Sequence, residues 1–326
     1  MRRTLTLTLA IGLLVAWPVS SLADSISQLV VFGDSLSDTG NVYIGTGGAT
    51  PAPPFYTAGL YTDGPDSFPS TPGPQGVWVQ QLAGMLGVPS PTPSLALGTD
   101  YAFGGALTGH DPGFPGPGIE PFVGDQLNLY LTGHPLGVPS NALYVFWAGA
   151  NDIFTGLNTP QQAATNLAAN INTLYADGGR DFLWLDMPPL GETPDGLALG
   201  SVVSGELNLA SQAYNAAWSS SISVLEATDP GIKIVGVDVY GLVDSMLADP
   251  SAYGFVNATD KAQSQNVDPN TYLYWDGVHP TTEGHYQVAK LAYQDLTTPE
   301  LPASMLLGTA LLVGLVVLGR RRCASA

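Results

Sequence analysis

Short apolar runs alternate with amphipathic stretches along most of this chain. Leu29 to Phe32 is one apolar run and stops at Gly33-Asp34-Ser35. Leu143 to Ala148 is a second, stopping at Gly149-Ala150-Asn151-Asp152. Phe182 to Leu185 is a third, closed by Pro188-Pro189, and Ile232 to Val239 is a fourth. Runs this short, bounded by turn residues, predict buried strands. Between them apolar residues recur at three and four. Val77, Trp78, Leu82, Met85 and Leu86 predict a helix over 77–86. Ala164, Leu167, Ala168, Ile171 and Leu174 predict another, with Thr159 as N-cap, Pro160 at the first position and Gln162 at the third; Gly178-Gly179 stops it. A long stripe runs from Leu207 to Leu225, and Leu242 to Leu247 begins a further helix. A last helix follows Pro280, with Thr281 or Thr282 as cap and Tyr286, Val288, Ala289, Ala292 and Tyr293 along it. His285, in its first turns, reads as structural. Strands alternating with helices predict an α/β fold, a parallel sheet with helices on both faces. No internal repeat or linker interrupts residues 24–297, which read as one domain.

The connections are long. Gly45 to Gly76 is rich in Gly, Pro, Ser and Thr and holds Phe55, Tyr56 and Tyr61. A loop of this length in a compact domain is functional or disordered. Its aromatics either line a substrate cleft or pin the loop to the core. A second loop, Pro89 to Gly98, leads into Tyr101-Ala102-Phe103-Gly104-Gly105-Ala106, whose paired glycines permit close backbone approach or positive φ. His110 and His134 lie in later loops and read as exposed histidines without a role.

Composition supports a sizeable core: 45% of the 326 residues are hydrophobic, and 39 Gly and 27 Pro fit the many loops. Charge is segregated. All 27 acidic residues fall between Asp24 and Glu300, where only Arg180, Lys233, Lys261 and Lys290 are basic. Such a surface repels phosphate backbones and disfavours nucleic-acid binding. The remaining arginines mark the two ends. Arg2-Arg3 precedes an apolar run from Leu5 to Trp17 and the small-residue site Ser21-Leu22-Ala23, the pattern of a signal peptide over 1–23; an uncleaved anchor is the alternative. Ala303 to Gly319, at ~1.5 Å per residue, would span roughly 25 Å before Arg320-Arg321-Arg322. The arginines would stay cytoplasmic and leave the upstream domain outside. Residues 298–326 thus read as a C-terminal sorting or membrane-anchor segment. The single cysteine, Cys323, lies in this segment, beyond its apolar stretch, so no intramolecular disulfide is available to the domain, and no Cys/His cluster has metal-ligand spacing.

Residues with hydrolytic chemistry sit in the turns. Ser35, just past the end of a strand, is a candidate nucleophile. His279, in Asp276-Gly277-Val278-His279-Pro280, is a candidate base, and Asp276 a candidate to orient it. The N–H groups of Ser35 and Gly105 and the Asn151 amide are candidate donors to an oxyanion.

Gly33-Asp34-Ser35-Leu36, Gly105, Gly149-Ala150-Asn151-Asp152 and Asp276-Gly277-Val278-His279-Pro280 together resemble the four blocks of the GDSL, or SGNH, hydrolases, in the family's order and across nearly the whole domain. Met187-Pro188-Pro189-Leu190-Gly191 and Tyr253-Gly254-Phe255 are similar to segments of its lipase/acylhydrolase subgroup. The resemblance implies a flavodoxin-like α/β/α sandwich with a five-stranded parallel sheet, distinct from the α/β-hydrolase fold with its Gly-x-Ser-x-Gly elbow. One departure stands out. Asp100 occupies a position where the subgroup often has asparagine, and a carboxylate cannot donate as an amide does. It either shapes the loop or weakens the oxyanion hole. The tail, Pro299-Glu300-Leu301-Pro302 with its apolar stretch and arginines, resembles the PEP-CTERM sorting signal of Gram-negative bacteria, with Leu301 interrupting the motif. It also resembles, less closely, a sortase signal.

The expectation is therefore an exported or surface serine esterase or lipase-like acylhydrolase that needs no metal or organic cofactor. Ser35, His279 and Asp276 would be catalytic, and Phe55, Tyr56 and Tyr61 would form a substrate wall. Family members take lipid esters, aryl esters, thioesters and acetylated sugars. The tail implies an exosortase-like processing enzyme and membrane contact before processing. It makes acetylated exopolysaccharide a second substrate. A non-catalytic surface binding module on the same scaffold is the competing class.

Overall fold

The computed structural model describes residues 26–52, 55–56, 59–63, 75–111 and 121–298. The signal peptide and the apolar tail expected from the sequence lie outside the described residues. Among those described, no helix is long and apolar enough to cross a membrane.

Four strands form a continuous parallel ladder: β1 (Gln28–Gly33), β2 (Ala142–Trp147), β3 (Asp181–Leu185) and β4 (Lys233–Val237), in the order β1-β2-β3-β4. β1 and β2 pair from Gln28↔Ala142 to Gly33↔Trp147, and β3 and β4 from Asp181↔Lys233 to Leu185↔Val237. The five-stranded count expected from the resemblance is met only by an irregular edge. Residues 99–103 run parallel to β1, where Val31 N–H donates to Thr99 O (3.0 Å), Tyr101 N–H to Val31 O (2.8 Å) and Phe103 N–H to Gly33 O (3.2 Å). This segment stays out of the regular ladder because its outer edge is already occupied. Asn41 Nδ2 donates to the carbonyls of Asp100 and Ala102, at 2.8 and 2.9 Å. Asp100 N–H donates to Thr92 O (2.9 Å). A covered edge of this kind cannot recruit another strand.

The strands are apolar on both faces, and alternation divides their side chains into two cores. Leu29, Val31, Leu143, Val145, Trp147, Leu183 and Leu185 point to one face. There they meet α2 (Trp78–Leu86), α8 (Val239–Ala248) and α9 (Thr282–Thr297). Val30, Phe32, Tyr144, Phe146, Phe182 and Trp184 point to the other, against α3 (Val123–Thr132), α5 (Pro160–Ala176) and α7 (Ser201–Thr228). The result is the α/β/α sandwich. Three short helices, α1 (Asn41–Gly45), α4 (Ala150–Thr155) and α6 (Pro194–Ala198), gather in the loops that follow strands. Thr159 caps α5 by accepting from Gln162 N–H, and Thr281 caps α9 by accepting from Gly284 N–H. Two features depart from the sequence pattern. α3 carries Gly124, Asp125 and Gln126 in its first turns and shows little apolar periodicity. A small parallel pair, β5 (Asn257–Lys261) and β6 (Tyr272–Tyr274), includes the polar run Asn257-Ala258-Thr259-Asp260-Lys261.

Many carboxylates are buried. Burial pushes Asp34 up to about 7 and Asp186 up to about 8, and it also raises Asp38, Asp63, Asp100 and Asp152. Each therefore holds its proton more tightly folded than unfolded. The stability this contributes is complete below the unfolded value of ~4 and is lost as pH rises through the folded value. Thermal melts of the full chain should give an unfolding midpoint that falls between pH 5 and pH 8. A midpoint rising over that interval would contradict this electrostatic picture.

Candidate active site

Three loops at the C-terminal ends of strands meet at Ser35, where open α/β sheets bind ligands. The first leaves β1 at Gly33. A Cβ there would sit 2.5 Å from the Trp147 carbonyl oxygen of the neighbouring strand, so only glycine fits. The Gln126 amide on α3 grips Gly33 from both sides. Gly33 N–H donates to Oε1 (3.0 Å), and Nε2 donates to Gly33 O (2.8 Å).

Beyond Gly33 the chain turns tightly, and its N–H groups end on buried carboxylates. Asp34 accepts from Leu36 N–H at 3.1 Å. Asp38 accepts from the N–H groups of Gly40, Asn41, Val42 and Gly104. Asp100 accepts from Thr39 N–H and Thr39 Oγ1, both at 2.6 Å, and from Ala102 N–H at 2.9 Å. Asp100 is fully buried and does not line the cleft, so this departure from the family's pattern shapes the loop.

The second loop carries Gly104-Gly105. Gly105 has φ of +81°, which favours glycine. A Cβ on Gly104 would lie 2.4 Å from the Tyr61 hydroxyl oxygen. The third loop follows β2. Gly149 has φ of +121°, and α4 begins immediately after it. Asp152 anchors it to the second loop by accepting from Thr108 N–H (3.1 Å) and Thr108 Oγ1 (2.9 Å). Asn151 Nδ2 donates to Ala106 O at 3.1 Å, which uses one of its two hydrogens. Among the described residues, the N–H groups of Ser35 and Gly105 have no acceptor. Both residues and Asn151 line the same cleft.

The histidine arrives from far away in sequence, on the loop between β6 and α9. Its Nε2 lies 2.8 Å from Ser35 Oγ, and its Nδ1 lies 2.7 Å from Asp276 Oδ2. Asp276 Oδ1 accepts from Val278 N–H (2.9 Å) and His279 N–H (2.7 Å), so the carboxylate shapes the loop and faces the ring at once. Burial alone would raise the Asp276 carboxyl. The charge of His279 and the hydrogen bonds from His279 and Tyr56 outweigh it and hold the group well below the usual carboxylate range. An ionised Asp276 requires the proton of neutral His279 to sit on Nδ1. Nε2 is then a lone pair facing the serine hydroxyl.

The loop is braced from two sides. Gly277 lies against Asp195, whose carboxylate would meet a Cβ at 2.1 Å, and Asp195 N–H donates to Gly277 O (2.9 Å). From residues 59–63, Thr62 Oγ1 donates to Pro280 O (2.9 Å), and Asp63 accepts from Thr282 N–H (2.5 Å) and Thr282 Oγ1 (3.0 Å).

The three loop aromatics expected to form a substrate wall separate into different places. Tyr61 lines the cleft and packs on the His279 ring, with centroids 5.2 Å apart. Tyr56 is absent from the cleft lining, and its hydroxyl donates to Asp276 Oδ2, the oxygen that also faces His279. Phe55 is 44% exposed and does not line the cleft either. The Tyr56 bond has no signal in the sequence, because nothing local distinguishes a tyrosine that reaches a carboxylate 220 residues away. His110 pairs with Asp125 (3.0 Å), and His134 Nδ1 lies 2.8 Å from Tyr130 O; neither lines the cleft. His285 is fully buried, and burial holds it down at about 3, a neutral core histidine. Among the described residues, no group of His, Cys, Asp and Glu could hold a metal ion.

The chain is 29% identical over 315 residues to an uncharacterized protein in the trpE-trpG intergenic region of Pseudomonas putida, a match covering 84% of this chain and 49% of that one. It is 28% identical over 294 residues to an acetylesterase of Thermothelomyces thermophilus, covering 86% and 91%. Among solved structures it is similar to a carbohydrate acetylesterase from Sinorhizobium meliloti, at 14% identity and a TM-score of 0.45, over 83% of this chain and 98% of that one. The chain spans about half the length, or less, of the first curated relatives it matches. The family model for GDSL-like lipases/acylhydrolases matches residues 29–292, the whole sandwich from β1 into α9. The chain belongs to the GDSL-like lipase/acylhydrolase family.

Proposed function

We propose that this chain is a serine hydrolase of carboxylic esters. The observation that carries the reading is the unbroken line from Ser35 Oγ through both ring nitrogens of His279 to Asp276. In this reading His279 Nε2 takes the serine proton as Oγ attacks the ester carbonyl. The N–H groups of Ser35 and Gly105 and the free hydrogen of the Asn151 amide hold the oxyanion. That these hydrogens have no other acceptor among the described residues supports the assignment, since preorganised donors need no reorganisation as charge develops. His279 then protonates the leaving alcohol. A water, deprotonated by the same nitrogen, attacks the acyl-enzyme and releases the acid. Asp276 stays ionised throughout, fixes the tautomer and stabilises the imidazolium.

Tyr56 acts on this line through Asp276. Its donated hydrogen bond holds the carboxylate in place against His279 and keeps it charged in a buried setting. A second reading of the substrate rests on the Thermothelomyces relative, whose name is acetylesterase. It would make acetyl esters, including acetylated exopolysaccharide, the target.

In the full chain, Ser35→Ala should lower p-nitrophenyl ester turnover by on the order of 10⁴- to 10⁶-fold while the thermal midpoint stays within a few degrees. Turnover within tenfold of wild type would remove Ser35 from the mechanism. Tyr56→Phe should lower kcat by about tenfold, the worth of one hydrogen bond to a charged group, and leave KM nearly unchanged. A raised KM with kcat intact would return Tyr56 to the substrate wall.

A further inference from the structure

The cleft at Ser35 does not end at the catalytic loops. It runs on beneath the histidine loop, between the sheet and helices α8 and α9, and the whole cleft, catalytic end included, encloses about 330 Å³. Its inner end is formed by Trp147, Val239, Val243, Met246, Leu273 and Val288. All six are almost fully buried. Val239, Val243 and Met246 stand at i, i+4 and i+7, so one face of α8 supplies a continuous apolar wall. Leu273 comes from β6 and Val288 from α9, one turn after Gly284, which also borders the cavity.

The acidic, imidazole and amide side chains of the lining lie at the other end, and besides them the lining holds the hydroxyls of Tyr61, Tyr274 and Thr193. Asp34, Ser35, Asn151 and His279 belong to the catalytic loops. The Thr193 hydroxyl is spent, donating to Leu190 O (2.8 Å) and accepting from Gly196 N–H (3.1 Å). Among the described lining residues, no charged side chain borders the inner end. A sugar ring placed among these six apolar side chains would lose most of its hydrogen bonds to water without replacement. An aliphatic chain would lose nothing and would fill a void that is otherwise costly to keep.

We propose that this inner arm is an acyl-chain site, and that the ester taken at Ser35 carries a straight aliphatic acyl group of medium length. The inference rests on the ester-hydrolase reading and adds its substrate class. The whole cleft holds on the order of ten groups the size of a water's ~30 Å³ share of liquid volume, the ester group at Ser35 among them. That limits the acyl chain to roughly six to eight carbons. Each methylene buried there should raise kcat/KM about fourfold until the arm is full. Met246, on the last turn of the wall, sets the depth.

The test is kcat/KM of the full chain on p-nitrophenyl esters from acetate to palmitate, in wild type, Met246→Trp and Met246→Ala, with octanoate binding to Ser35→Ala followed by calorimetry. The wild type should prefer octanoate over acetate at least tenfold. Met246→Trp should cut that ratio at least tenfold, and Met246→Ala should move the optimum to a longer chain. The alanine variant keeps the test valid if the tryptophan variant does not fold. Acetate turnover with a flat chain-length profile, or ratios within twofold of wild type in both variants, would overturn the acyl site and leave the hydrolase reading standing. No ester turnover in wild type, with octanoate bound by Ser35→Ala and lost in Ser35→Ala/Met246→Trp, would overturn the hydrolase reading and support the apolar site.

Discussion

Backbone N–H groups must find acceptors once they are buried, and around Ser35 the acceptors are carboxylates. Asp34, Asp38 and Asp100 collect the N–H groups of Leu36, Thr39, Gly40, Asn41, Val42, Ala102 and Gly104. Desolvation raises all three acids, and these donors pull against it. The arrangement is costly for the charges and stiff for the backbone. Asp38 ties the turn after β1 to Gly104, and Asp100 ties the edge segment back to Thr39. Ser35 and Gly105 are therefore fixed relative to each other before any substrate arrives. The N–H groups of Ser35 and Gly105, which have no acceptor among the described residues, belong to residues that line the cleft, the distribution an oxyanion site requires.

The glycine- and proline-rich connection before α2 has a similar role on the other side. Its described part reaches across to the histidine loop. Thr62 and Asp63 hold Pro280 and Thr282, Tyr61 packs on the imidazole, and Tyr56 donates to Asp276. A long loop of low hydrophobicity thus works as a brace, positioning a histidine that sits 244 residues from its serine. The apolar arm of the cleft, which Tyr61 of this brace also borders, is lined by residues of α8 and α9.

Much of this was legible in the sequence. The four apolar runs became the four ladder strands to within two residues at each end, because buried parallel strands have no competing periodicity. Helix starts marked by Thr159 and Thr281 fell where their side chains could accept. The turn motifs could be read because glycine, aspartate and serine are local signals. What escaped was non-local. The edge segment 99–103 is extended by its bonds to β1 and Asn41, not by its own residues. α3 forms despite Gly124 and Asp125, since Val123, Leu127 and Tyr130 bury against β1 and Gln126 clamps Gly33. β5 pairs on polar residues that no alternation marks. Tyr56 looked like a substrate contact because an aromatic in a long loop has no local feature that reveals a carboxylate partner.

The covalent acyl intermediate proposed on Ser35 is open to direct observation. Full-length protein mixed with an excess of p-nitrophenyl octanoate, acid-quenched within milliseconds and digested, would be read by mass spectrometry. An octanoyl adduct should appear on the peptide bearing Ser35 and be absent from the same peptide in His279→Ala. An adduct on any other residue, or rapid turnover with Ser35 unmodified at every quench time, would contradict it.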